Sequence, residues 1–97
     1  MRIISINKLK ECWDRHPETR IPLSEWYVKV GKARWKSFSD MKKDYSSVDY
    51  VGNQRYVFNI KGNSYRVVVA VKFTPLLVYI RFVGTHNEYE KKKIKTL

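Results

Sequence analysis

The sequence predicts an α+β domain with N-terminal helices packed on one face of a twisted, largely antiparallel β-sheet. Three observations carry that prediction. Helical periodicity is confined to the first half of the chain, segments rich in Val, Ile, Tyr and Phe crowd into the second, and short turn signals separate those segments. The 97 residues make one small domain, 1–97, and 43% hydrophobic with 14% aromatic content argues against disorder.

The elements follow in order. Ile6 to Arg15 places Leu9, Cys12 and Trp13 at i, i+3 and i+4, with Ser5 or Asn7 as N-cap and Pro17 as the stop. Leu23 to Gly31 sets Leu23, Trp26, Tyr27 and Val30 on one stripe, preceded by Pro22 and closed by the glycine. A shorter helix spans Ser39 to Asp44. Strands are expected over Gln54 to Ile60, Ser64 to Phe73 and Leu77 to Val83. Gly62-Asn63 supplies a hairpin turn, because both residue types tolerate positive φ. That turn pairs Ile60 with Tyr65, Asn59 with Arg66, Phe58 with Val67 and Arg55 with Ala70, and Pro75-Leu76 makes the next one. Alternation then sends Tyr56, Phe58, Ile60, Tyr65, Val67, Val69, Val71, Phe73, Val78, Ile80 and Phe82 to the core. The opposite face receives Arg55, Val57, Asn59, Lys61, Ser64, Arg66, Val68, Ala70, Lys72, Tyr79 and Arg81. Asn87 to Lys93 forms a terminal turn or short helix.

Charge narrows the function. Twenty Lys and Arg against nine Asp and Glu give a net +11, which suits a polyanionic partner. Between Tyr50 and Asn87 lie Arg55, Lys61, Arg66, Lys72 and Arg81 and not one carboxylate. Metal-dependent hydrolysis and paired-carboxylate glycosidase chemistry both lack ligands or acids on such a face, so no metal is expected. Phosphate-binding glycine loops are absent and no cofactor is implied. The single cysteine, Cys12, excludes an internal disulfide and points to a reducing compartment. With no apolar run of signal or bilayer length, the expectation is a cytoplasmic protein without membrane contact.

A basic, carboxylate-free sheet edged by aromatic residues suits a phosphate backbone with bases stacked on rings. RNA offers one reaction that DNA does not: its 2′-hydroxyl can attack the adjacent phosphate, which requires a base, an acid and cations for the extra negative charge. Arg66, Lys61, Arg55 and Arg81 supply cations, and His86 or Tyr89 can handle a proton. Asn59, Lys72 and the run Lys91-Lys92-Lys93 extend the RNA-binding surface. The same face without chemistry would make a non-catalytic RNA-binding module, and His86 would then only finish the last strand.

Two motif blocks bear on that choice. Val51-Gly52-Asn53-x-Arg55 with Val57-Phe58-Asn59-Ile60-Lys61-Gly62-Asn63-x-Tyr65-Arg66, and Ile80-Arg81-Phe82-Val83-Gly84-Thr85-His86-x-Glu88-Tyr89, resemble the HigB-type toxins of bacterial type II toxin–antitoxin modules. Trp13, His16-Pro17, Leu23, Trp26-Tyr27 and Trp35-Lys36 extend the resemblance over essentially the whole chain. It implies a RelE-like fold, cleavage of messenger RNA on the ribosome, growth arrest, and neutralisation by a helix-turn-helix HigA-type antitoxin. It also implies a heterotetrameric complex that binds operator DNA through the antitoxin. In that superfamily the arginine matching Arg66 contacts the scissile phosphate, the strand end matching Val83 to His86 carries a catalytic Arg or His, and the aromatic matching Tyr89 stacks on or orients a base. Where RelE has two catalytic lysines this chain has Val57 and Asn59. The catalytic set implied is therefore Arg66, His86, Tyr89 and Lys61, with acid and base unassigned.

Overall fold

The computed structural model describes residues 2–91. Lys92 and Lys93, named above for RNA binding, lie outside them. In chain order the elements are β1 (Arg2–Ile4), α1 (Asn7–Arg15), a 3₁₀ turn (Pro17–Thr19), α2 (Arg20–Lys32), α3 (Phe38–Asp44), β2 (Asp49–Gly52), β3 (Arg55–Ile60), β4 (Tyr65–Phe73), β5 (Leu76–Thr85) and α4 (His86–Glu90). The strands form one open sheet in the order β1-β5-β4-β3-β2, antiparallel except where β1 runs parallel to β5. This is the α+β class expected, with two edge strands added to the three that sequence alternation indicated.

Several element ends differ from expectation for local reasons. The N-cap of α1 is Ile6, with no side-chain cap bond, because Ser5 is spent on a left-handed turn at φ 71°. Pro22 lies inside the first turn of α2 rather than before it, where a missing N–H forfeits no helical bond. Gly31 is likewise internal, and extended Ala33 ends the helix. Ser37 caps α3 by accepting from the Asp40 N–H.

The β3–β4 register is the one read from the sequence: Ile60 faces Tyr65, Asn59 faces Arg66, Phe58 faces Val67 and Arg55 faces Ala70. The turn is wider, since positive φ falls on Lys61 and Gly62 and the Ser64 N–H donates to the Lys61 carbonyl. Asn53 and Gln54, both at positive φ, join β2 to β3. Thr74 and Pro75, across a cis peptide, join β4 to β5 in place of Pro75-Leu76.

One placement is corrected. Val69 pairs with Ile80 but Val68 pairs with Phe82, so β5 carries an extra residue at Arg81. Such a bulge reverses inside and outside beyond it. Phe82 therefore joins Val68 on the face away from the helices, and Val83 takes the inward position opposite Val67, 7% exposed.

The core lies between α1, α2 and the inward sheet face, where Leu9, Cys12, Leu23, Trp26 and Val30 meet Phe58, Val67, Val69, Val78 and Ile80. Trp26 packs edge-on to Phe58 with ring centres 5.5 Å apart. Trp35 stacks on the same ring, and its indole N–H donates to Asp44 Oδ2 at 2.8 Å. Tyr27, expected on the buried stripe, is exposed instead. The outward face is not bare either. Val57 and Val68 are 2% and 0% exposed, forming with Phe82 an apolar row across β3, β4 and β5.

Candidate active site

One rung from that apolar row, the ladder aligns Asn59, Arg66 and Gly84 across β3, β4 and β5. Gly84 is required for room. A Cβ there would stand 2.8 Å from both Glu88 Oε1 and the Phe82 ring.

The chain then turns into α4 through a reciprocal cap. The Thr85 hydroxyl accepts from the Glu88 N–H at 3.2 Å, and the Glu88 carboxylate accepts from the Thr85 N–H at 2.9 Å. That bond to the anion holds the Glu88 carboxyl below its ordinary value of 4.5. The His86 N–H donates to the Ser64 carbonyl at 3.0 Å, tying the helix start to the β3–β4 hairpin.

This tie brings Arg66 and His86 together from 20 residues apart. Arg66 Nη2 lies 2.9 Å from His86 Nδ1, while Nη1 donates to the Asn63 carbonyl at 2.8 Å. A guanidinium has five N–H donors and no acceptor, so Nδ1 must be the acceptor and the imidazole proton sits on Nε2. Glu90 Oε1 lies 3.4 Å from that nitrogen, one helical turn away. Tyr89 places its ring 5.6 Å from the Arg66 guanidinium carbon, within cation–π range. Burial raises the Tyr89 phenol above 10, with Arg66 opposing and Glu90 and Asp49 reinforcing the shift. The hydroxyl stays protonated at neutral pH.

Other residues singled out in the sequence lie elsewhere. Lys61 is exposed at the hairpin corner, and its charge acts on Glu18 at the helix-covered side. There the Tyr65 hydroxyl donates to Glu18, which pushes the phenol up to about 12 and holds the carboxyl below 4.5. The His16 ring meets Tyr65 edge-on. Arg55 donates to the Asn53 carbonyl and sits four residues along the ladder from Arg66, about 13 Å at roughly 3.3 Å per residue. Lys72 is six residues away on β4, about 20 Å by the same rise. Arg81 is exposed at the bulge and Lys91 at the end of α4.

Glu90 was missed because its role appears only once His86 begins a helix. The signal was present in Thr85-x-x-Glu88, a capping box that sets His86 and Glu90 at i and i+4. Among the described residues no three His, Cys, Asp or Glu side chains gather where they could hold a metal ion, and no helix is long and apolar enough to cross a membrane.

The arrangement offers a cation for a phosphate, an imidazole with one lone pair and one proton, and a ring for stacking. Comparison with known proteins gives it a context. Residues 19–92 match the family described as HigB_toxin, RelE-like toxic component of a toxin-antitoxin system. The mRNA interferase toxin HigB of Escherichia coli (strain K12) is 33% identical over 93 residues, 93% of this chain and 88% of that protein. The mRNA interferase HigB of Shigella flexneri gives the same values. The mRNA interferase HigB of Escherichia coli O6:H1 is 25% identical over 93 residues, covering 94% and 90% of the two chains.

Proposed function

The chain belongs to the HigB toxin family, and on that premise we propose that it is a metal-independent endoribonuclease cutting messenger RNA on the ribosome, held inactive by a HigA-type antitoxin. The observation that carries the reading is the contact of Arg66 with His86 beneath Tyr89, on a sheet face that also carries Asn59. The antitoxin partner completes a heterotetramer and brings the complex to operator DNA.

Each residue then has a task. Arg66, oriented by the Asn63 carbonyl, keeps guanidinium donors for the scissile phosphate and for the charge that grows on it. When a phosphate draws Arg66 away, the lone pair on His86 Nδ1 is released and takes the proton of the attacking 2′-hydroxyl. Glu90 Oε1, 3.4 Å from Nε2, orients the ring by facing the proton on that nitrogen. The new bond joins the 2′ oxygen to phosphorus and the bond to the 5′ oxygen breaks. The departing oxygen gains its proton from solvent or from Tyr89. Tyr89 presents its ring to a base, and Lys61, Arg55, Lys72 and Arg81 add field and backbone contacts.

The test is induction in a bacterial host with transcript ends mapped. Wild-type chain should stop growth and produce new 5′ ends. Arg66→Ala should remain folded and cut at least about 10² more slowly, the usual cost of losing one positioned donor to a developing oxyanion. Ribosome binding without new ends would assign the chain to RNA binding alone. Loss of cutting with chelator at constant ribosome integrity, restored by a trace transition metal, would overturn metal independence.

A further inference from the structure

We propose that the cleft between α2 and the free end of β3 is a nucleobase subsite selecting bases that carry an exocyclic amino group, an inference that rests on the endoribonuclease reading above. The cleft has a volume of about 260 Å³, just under the roughly 300–1,000 Å³ of pockets for drug-sized ligands. That suits one base. Glu25, Trp26 and Lys29 of α2 line it together with Tyr45, Asn59 and Lys61.

The sheet edge supplies the first reason. β2 begins at Asp49, opposite Val57, so no β2 residue pairs with Asn59. The Val71 N–H donates to the Gln54 carbonyl at 3.1 Å. Counting along the antiparallel ladder from that bond, Tyr56, Phe58 and Ile60 direct their backbone groups to β4, and Asn59 directs its own outward beside the cleft. An edge with one N–H and one C=O is the complement of a base edge.

Side-chain chemistry supplies the second. Lys29 is held by the Asp44 carbonyl at 3.1 Å and lies 4.7 Å from the centre of the Tyr45 ring, and with Lys61 it gives the cleft two cations for flanking phosphates. Glu25 is the single carboxylate lining the cleft, an acceptor that suits an amino group and repels the carbonyl that uracil presents instead. Trp26 is 2% exposed, and its indole N–H has no hydrogen-bond partner among the described residues. A buried donor of that kind is rewarded by an acceptor. Continuity supplies the third. Asn59 faces Arg66 directly across the ladder, so RNA with its scissile phosphate at Arg66 brings a neighbouring nucleotide to the cleft.

The experiment has two arms. In the first, ¹⁵N-labelled full-length chain is titrated with CMP, AMP, GMP and UMP while the Trp26 indole N–H signal is followed. CMP, AMP and GMP should shift it and bind more tightly than UMP. Glu25→Gln should erase that preference, and Lys29→Ala should weaken all four about tenfold, the loss of one charge-assisted hydrogen bond. In the second arm, cut sites are mapped on ribosomes, and Glu25→Gln should relax the base preference at one position beside the cut. Base-selective binding by a wild-type chain that never cuts RNA would overturn the endoribonuclease reading and keep the subsite. Cutting with an unchanged base preference in both variants, and no base-selective shift at Trp26, would overturn the subsite and keep that reading.

Discussion

On the helix-covered face of β4, Val67, Val69 and Val71 are 3% exposed or less and pack against residues of α1 and α2, whereas the other face of the same strand presents Arg66 to solvent beside an imidazole. Tyr65 and Arg66 show the contrast most sharply, being adjacent in sequence. Tyr65 is buried, edge-on to His16 and bonded to Glu18. Arg66 has two backbone carbonyls and His86 Nδ1 for partners, with Tyr89 beside it. A strand with period two can therefore serve stability with one set of residues and the proposed chemistry with the alternate set, and the two duties should separate under mutation. The separation is incomplete, since Val57 and Val68 on the outward side are as buried as the core.

The largest effect expected breaks the outward side alone. His86→Gln keeps a hydrogen-bonding side chain and removes the group proposed to transfer the proton, so single-turnover cleavage should fall by about 10² to 10⁴. Ribosome binding and melting temperature should change little, and a variant with full rate would remove His86 from the chemistry. Phe58→Ala breaks the other side. It empties the ring that Trp26, Trp35 and Tyr45 all touch, and denaturant unfolding should show a loss of about 3–5 kcal/mol. Activity per folded molecule should persist.

Gly84→Ala tests where the two sides meet. The new methyl presses on Phe82 and on the capping carboxylate of Glu88, costing roughly 1–3 kcal/mol. Because α4 carries both His86 and Tyr89, stability and cleavage should fall together here, measured by melting and by mapped transcript ends. The smallest effect belongs to Glu88→Gln. The folded-state carboxyl is held below 4.5, so its contribution is complete above that value and is lost as pH falls through the lowered one. Gln can keep the capping bond without titrating. At neutral pH the variant should melt slightly below wild type, and the difference should close as pH falls, because only the wild-type carboxyl loses its charge.

The β3–β4 hairpin was legible in sequence because its turn residues and the apolar alternation on both strands agree on one register. Arg66 opposite Asn59 followed directly. The outer half of β5 was not legible, because alternation counts parity and one unpaired residue at Arg81 reverses it without changing composition. Three-residue β1 carried too little pattern, and its pairing with β5 joins residues more than 70 apart in sequence. In the site, Arg66, His86 and Tyr89 could be named from residue type and resemblance. The distance between Arg66 and His86 could not, since it depends on the Ser64 carbonyl receiving the first N–H of α4. Lys72 and Arg55 share the face of Arg66, but strand rise alone carries them to its far end.

The additional residue in β5 behaves like a phase shift in a wave. Carried on unbroken from the Val69–Ile80 pair, the ladder would set Phe82 against Val67 and Val83 against Arg66. A branched side chain would then occupy the rung where Gly84 leaves space, and a phenyl ring would enter a position that valine now fills. The strand would also end one step out of phase, so that Thr85 and the helix it starts would leave the strand from the opposite side. By delaying the pattern one step, Arg81 is what delivers a glycine to the arginine and aims the terminal helix at it. A residue three positions before the glycine thus fixes, through strand parity alone, which of the three central groups can meet.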